Sequence, residues 1–180
     1  MTKGEVGLNP VMEAIQKRRS IRRFKPNPVD DDKITAILEA GRWAPSFSNL
    51  QPWTFIVVTD SKLKRQLEIA VAGSVRHRGI EEAPVVIVTC VDPSADPQHH
   101  VEDGSAATQN MTIAAYSLGL GSFWVGVLNT SAEEGIRKIL NVPLSQRIVS
   151  LLPIGTPAEV PSGVRKMLEE IVRREKYGNR

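Results

Sequence analysis

Six basic residues fall within nine positions, from Lys17 to Lys25 in the run KRRSIRRFK, and no acid interrupts them. A run of this kind suits a nucleic-acid backbone, an anionic membrane surface, a single phosphate group, or simply a solvated helix end. Nucleic-acid binding calls for aromatic platforms or a reading helix, and only Phe24 interleaves here. The phosphate reading is physically specific. Arg18 and Arg19 carry forked donors and Ser20 adds a hydroxyl; Arg22, two residues on in extended chain, returns to the side of Ser20. Three or four such donors suffice for one anion, while the solvated helix end stays open as the alternative.

A second polar stretch, APSFSNLQPW from Ala44 to Trp53, sets Ser46, Ser48, Asn49 and Gln51 between two prolines. Amides of Asn and Gln pair with the edge of a planar heterocycle. The plainer reading is a helix-to-strand connection in which Trp43 and Trp53 anchor the core.

Other chemistries have little support. Gly119, Gly121 and Gly126 follow a helical pattern and precede a strand, the reverse of the dinucleotide-binding order, and no phosphate loop ending in Gly-Lys-Ser/Thr occurs. His99 and His100 lie among Asp96, Glu102 and Asp103, but adjacent histidines do not face one ion from a helix. Acids in a first helical turn are ordinary dipole partners, so no metal is expected. His77 has no partner nearby in sequence, and Cys90, inside APVVIVTCV, reads as a buried inert thiol. No nucleophile with its base can be identified, so no catalytic side chain is assigned.

The elements that must position these residues can be traced along the chain. Asn9 and Pro10 read as a helix cap and first helical residue, with Val11, Met12 and Ile15 as an apolar stripe before the basic run. Pro26 and Pro28 enforce extended chain, and Asp30 to Asp32 open a second helix that buries Ile34, Ile37, Leu38 and Gly41. A strand is expected over 54–59, a helix from Ser61 to near Gly73, and a strand over 85–91. An alanine-rich helix over 101–118, covered almost all round, ends at Gly119 and Gly121. A third strand follows over 122–128, then a helix opened by a Ser131–Glu134 capping box, and a fourth strand over 147–155. The last segment is proline-rich loop followed by a short charged helix.

The chain of 180 residues, 41% hydrophobic and 24% charged, suits one soluble domain, with a core over about 10–156 and a C-terminal extension over about 157–180. The net charge is only +3, but a second basic cluster, Arg165, Lys166, Arg173, Arg174, Lys176 and Arg180, could meet the first in space. With no apolar run long enough to span a bilayer and no signal-peptide pattern, a cytoplasmic location is expected.

Taken together, the motifs resemble the FMN-dependent nitroreductase family, NAD(P)H:acceptor oxidoreductases of the short bacterial and archaeal type. They are Arg-Arg-Ser-x-Arg (Arg18–Arg22), Ala-Pro-Ser-x-x-Asn-x-Gln-Pro-Trp (Ala44–Trp53), Ala83-Pro84, Gln109-Asn110, Leu118–Gly121 and Trp124–Gly126, in order from about Val11 to Val172. The resemblance implies an α+β fold of three layers, α-β-α, around a mostly antiparallel sheet. It implies an obligate homodimer whose C-terminal arm packs on the partner subunit, with FMN bound between subunits. It assigns Arg18, Arg19, Ser20 and Arg22 to the FMN phosphate and the polar edge of the ring. Ser46, Phe47, Asn49 and Gln51 would approach the partner's flavin, the backbone of Val125 and Gly126 would lie at flavin N5, and Arg165 would be the tail's phosphate contact. Longer members carry Lys-x-Arg in this tail, and here the lysine position is Gly163.

The function implied is hydride transfer from NADH or NADPH to an electron-poor small molecule, such as a nitroaromatic, a quinone or a flavin, by a ping-pong mechanism. The flavin performs the chemistry, which accounts for the missing catalytic dyads. Neither nucleic acid nor membrane is expected as a partner. The alternatives are a narrower flavoenzyme of the same fold, of dehalogenase or flavin-destructase type, and a non-catalytic basic nucleic-acid-binding protein.

Overall fold

The structure, a computed structural model, describes residues 9–72 and 79–178; Gly73, His77 and Arg180 lie outside the described residues. The first helix, α1 (Pro10–Lys17), begins where Asn9 accepts the Met12 N–H on its side chain at 2.9 Å, with proline in the first turn where its missing donor costs nothing. It stops just before Arg18. Its apolar stripe does not enter the core of this chain: Val11 is 61% exposed, Met12 42% and Ile15 48%, and only Ala14 is buried. The helix has the expected amphipathic pattern, but among the described residues nothing buries that face.

The remaining elements are α2 (Asp31–Arg42), a single 3-10 turn (Phe47–Asn49), β1 (Trp53–Val58), α3 (Ser61–Ala72), β2 (Val85–Val91), α4 (His100–Ser117), β3 (Gly121–Ser122), β4 (Val125–Gly126), α5 (Ser131–Leu140), β5 (Arg147–Gly155) and α6 (Leu168–Ile171). The sheet order is β1-β2-β5-β3, β4 also pairs with β5, and every pairing is antiparallel. Because β2 and β5 are central, both faces of each are covered, and they read as near-continuous apolar runs. Val86, Val88 and Cys90 join a core cluster with Leu67 and Val71 of α3 and Ile136 of α5. Val85 and Ile87 join a second with Ile37 of α2 and Met111 and Ala115 of α4. Helices thus cover both faces, giving the expected three-layer α+β fold.

The expected third strand is interrupted. Gly121 and Ser122 pair with Gly155 and Ile154, and Val125 and Gly126 pair with Leu151 and Ser150 in the same register, but the ladder lapses at Phe123 and Trp124. The cause lies across the sheet. Phe123 N–H donates to the Pro153 carbonyl at 3.3 Å, and an antiparallel pair needs a returning N–H from that same residue, which proline lacks.

The start of α5 also departs from expectation. Thr130, not Ser131, stands at the N-cap, and its hydroxyl donates to Val127 O at 2.6 Å. Glu134 faces outward to Arg137 and Lys138, whereas Glu133 turns inward. The Glu133 carboxylate accepts from Arg147 Nε at 2.8 Å and Nη2 at 2.9 Å, and from the backbone N–H of Ile148 and Asn129, both at 3.1 Å. Burial alone would raise its pKa; the bonds from Arg147 and the two amides outweigh burial and hold it below its ordinary 4.5. Because the folded-state value is depressed, the stabilisation is present above the ordinary value and lost as the pH falls through the folded one. Glu133→Gln should therefore cost about 3 kcal/mol at pH 7. Urea titrations should show a constant gap to the wild type from pH 7 down to the ordinary 4.5, narrowing only below it as the pH falls through the depressed folded value.

Candidate functional site

Beyond α1 the basic run becomes extended chain laid between two edges. On one side Ser20 bridges Ser122 of β3, and Ile21 N–H donates to Ser122 O at 3.0 Å. On the other, Lys25 N–H donates to Thr156 O and Ala158 N–H to Arg23 O, both at 2.9 Å. Glu159 then accepts the backbone N–H groups of Arg22 at 2.5 Å and Arg23 at 3.2 Å. Ile21 and Phe24 are buried and pin the run to the core, while Arg22 and Arg23 stay exposed. The close approach to β3 depends on glycine, since a Cβ built on Gly121 would lie 2.6 Å from Ile21 Cγ1.

This path gathers three guanidinium groups from two distant parts of the sequence. Arg18 and Arg19 follow α1, and Arg165 comes from the tail; a Cβ placed at Gly163 would lie 3.4 Å from Arg19 Nε and 3.7 Å from Arg165 Nη1. Burial, then the charges of Arg165 and Arg19, push the Arg18 pKa down. Among the described residues none of the three is in an ion pair. Arg19 donates to the carbonyls of Gln16 (2.7 Å) and Arg18 (2.9 Å), and Arg165 to that of Val164 (3.1 Å). A cavity of about 770 Å³ opens beside Arg18 and Arg19, and Tyr116, Gly121, Ser122 and the carboxylates Glu13 and Glu159 also line it. Mutually repelling, forked donors beside a cavity fit a phosphate dianion. Arg22 lies over the Phe123 ring, 5.5 Å from its centroid, next to the lapse in the ladder that precedes Val125 and Gly126. Val125 is buried against β5 and Gly126 is exposed.

The second polar stretch folds into a tight turn. Trp43 is 73% exposed with the Arg42 guanidinium over its ring, so it is not a core anchor; Trp53 is half-buried at the start of β1. Ser48, Asn49 and Gln51 have φ of 47°, 58° and 50°, three left-handed residues within four positions and none of them glycine. Ser46 Oγ accepts Gln51 N–H at 2.9 Å, and Gln51 Nε2 donates to Asn49 O at 3.1 Å. Phe47 N–H donates to the Asp103 carboxylate, and the Phe47 ring stacks on His99 with centroids 4.3 Å apart.

Sequence reasoning missed Asp103 and Glu159. Asp103 sits where helix-dipole acids are common, and nothing in the sequence signals that the Phe47 loop folds back onto it. Glu159 lies in what reads as featureless loop. Among the described residues no three His, Cys, Asp or Glu side chains converge to hold a metal ion. Burial raises the Cys90 thiol to about 11, consistent with an inert sulfur.

Helix α4 measures the separation between the two assemblies. Its first turn carries Asp103, which holds the Phe47 loop, and its last carries Tyr116, which lines the cavity beside Arg18. They stand thirteen positions apart along the helix, roughly 20 Å. One chain therefore presents the basic segment and the amide-bearing loop at opposite ends of the same helix.

Comparison with known proteins shows the family to which the chain belongs. The description "Nitroreductase family" matches residues 15–82 and 72–156. A protein of Methanothermobacter thermautotrophicus, provisionally named as an NADH dehydrogenase/NAD(P)H nitroreductase, is 38% identical over 92% of this chain and 86% of its own length. Among solved structures, an FMN-dependent nitroreductase of Clostridium difficile superposes with a TM-score of 0.86 at 29% identity, covering 92% of this chain and 99% of the other. An NADPH:FMN oxidoreductase of Vibrio harveyi, solved with NAD+, superposes with a TM-score of 0.83 at 26% identity over 94% of this chain and 78% of its own. Matched along most of its length in sequence and in fold, the chain belongs to the nitroreductase family of oxidoreductases.

Proposed function

We propose that the protein is an NAD(P)H-dependent FMN oxidoreductase, acting as a homodimer on electron-poor small molecules such as nitroaromatics, quinones or flavins. The observation that carries this reading is the meeting of Arg18, Arg19 and Arg165, none of them in an ion pair among the described residues, where Arg18 and Arg19 line a cavity. In this reading they hold the FMN phosphate together with Ser20, and Arg22 serves the polar edge of the ring. The backbone of Val125 and Gly126 borders the reacting edge. When bound, the flavin supplies the hydride chemistry, accepting from NAD(P)H and delivering to the acceptor in turn. The chain's own task is binding, orientation and exclusion of water, which requires no activated nucleophile.

The separation of the two assemblies along α4 supports a dimer. Ser46, Phe47, Asn49 and Gln51 cannot serve the flavin held by their own chain's arginines, but a second copy can bring its loop to it. The uncovered apolar side chains also favour a partner surface: Val11, Met12 and Ile15 of α1, Trp43 and Leu50 around the loop, and Val160, Val164 and Leu168 in the tail. The tail from Pro157 onward, with its single-turn helix α6, reads as an arm that packs on the second subunit.

Purified protein should be a yellow dimer that bleaches with NADH or NADPH in the absence of oxygen and recolours with a quinone. A colourless preparation that cannot be reconstituted with FMN would overturn the reading. Steady-state lines at several acceptor concentrations should be parallel in double-reciprocal plots, as ping-pong turnover requires; intersecting lines would reject that mechanism. Replacing Arg18 and Arg22 together by alanine should weaken FMN binding about 100-fold while leaving circular dichroism unchanged, since two charge-assisted bonds are removed from the surface. Gly121→Val should also release FMN, although it changes no ligand donor, because the new side chain displaces Ile21 and the run behind it; equilibrium dialysis distinguishes this from retained binding.

A further inference from the structure

The loop that carries Ser46 to Gln51 has a conformation its own sequence does not favour. Left-handed backbone costs a non-glycine residue about 1–2 kcal/mol, and Ser48, Asn49 and Gln51 all adopt it. Such strain persists only where surrounding structure holds it. The bonds within the loop, Gln51 N–H to Ser46 Oγ and Gln51 Nε2 to Asn49 O, cannot tell the loop where to stand relative to the core. That link is made by Asp103, only 6% exposed, whose carboxylate oxygens accept Phe47 N–H at 3.1 and 3.3 Å.

Asp96 and His99 stand behind Asp103. Asp96, 2% exposed, accepts the N–H groups of Gln98 (3.1 Å) and His99 (2.9 Å) on Oδ1, and its buried Oδ2 has no hydrogen-bond partner of its own. His99 Nδ1 lies 3.4 Å from Asp96 Oδ1, and the His99 ring stacks on Phe47. His100 Nδ1 meets the Asp96 carbonyl at 2.7 Å. The titratable groups facing Asp103 are thus Asp96 and His99, with His100 one step behind. Burial first, opposed by the Phe47 N–H, and then the charge of Asp96 raise the Asp103 pKa.

We propose that Asp103 is the positioning residue of the site loop, using its carboxylate on Phe47 N–H, with Asp96 and His99 behind it, to hold Ser46, Phe47, Asn49 and Gln51 where the partner's flavin meets them. The role of the loop rests on the function proposed above; the latch itself does not. Ionised Asp103 is the better acceptor, so the latch is tightest above its raised pKa and loosens as the pH falls through it.

Two readouts separate the latch from the function. Amide exchange at Phe47, followed by NMR in the full-length protein, should be at least 30-fold faster in Asp103→Ala than in the wild type and within threefold of wild type in Asp103→Asn, whose side-chain oxygen can still accept. In FMN-reconstituted protein, Asp103→Ala should raise KM for a quinone at least tenfold with kcat within threefold, and Asp103→Asn should restore KM. Unchanged Phe47 exchange in folded Asp103→Ala, or an Asp103→Asn variant as impaired as alanine, would overturn the proposal. If Asp103→Ala does not fold, Asp96→Asn decides: its amide donates to Asp103 and keeps it ionised, so Phe47 protection should stay constant on acidification while that of the wild type falls as the pH drops through the raised Asp103 pKa. Equal pH dependence in both would overturn the proposal. If Phe47 responds as described while the wild type fails to bind FMN, the latch stands and the functional reading falls.

Discussion

The backbone of residues 20–25 is held between the edge of β3 and residues 156–159, and the arrangement of the basic residues depends on that pairing. Ile21 and Phe24 bury their side chains in the core, so the intervening Arg22 and Arg23 have no choice but the surface. The same path brings the end of α1 to the beginning of the tail, placing Arg165 beside Arg18 and Arg19 across more than a hundred residues of sequence. Glu159 closes the arrangement on the tail side by accepting two consecutive backbone N–H groups. Little space is left for adjustment: Gly121 touches Ile21 so closely that only a hydrogen fits.

Two local costs are built into this scaffold. Three guanidinium groups repel one another beside a cavity, and three left-handed residues crowd one loop. Neither belongs to an energetically relaxed surface, and each is sustained by a well-packed neighbour. The arginines rest on the pairing just described, and the loop rests on Asp103 in the first turn of α4. Helix α4 can serve both ends because it is packed against the central strands, with Met111 and Ala115 in the core and Thr108 bonded to Thr89 and Ser150. A rigid spacer of this kind fixes the distance between the two assemblies without touching either chemistry.

Much of the framework was legible from local pattern. The near-continuous apolar runs at 85–91 and 147–155 declare strands buried on both faces, and Asn9-Pro10 marks a helix start by the chemistry of the first turn alone. The basic run and the Ser-Asn-Gln loop were legible as polar stretches whose residue types suit an anion and a planar ring. What failed had long-range causes. The break at Phe123 and Trp124 is set by Pro153 on the neighbouring strand, about thirty residues away. Glu133, not Glu134, is the acid that matters at α5, because Arg147 arrives beside it only when β5 pairs. The stripe on α1 and the ring of Trp43 have the composition of buried residues but are exposed in the single chain.

By itself, the sequence determined most of the segments that are helix or strand and offered residue types that suit an anion, and it identified no nucleophile with its base. Those properties follow from periodicity, caps and side-chain chemistry, which act over a few residues. Only the tertiary structure decided that Arg165 joins Arg18 and Arg19, that Asp103 anchors the Phe47 loop, and that the basic segment and that loop stand at opposite ends of α4. These are contacts between residues far apart in the chain, and their geometry comes into being only when the sheet closes and the helices pack upon it.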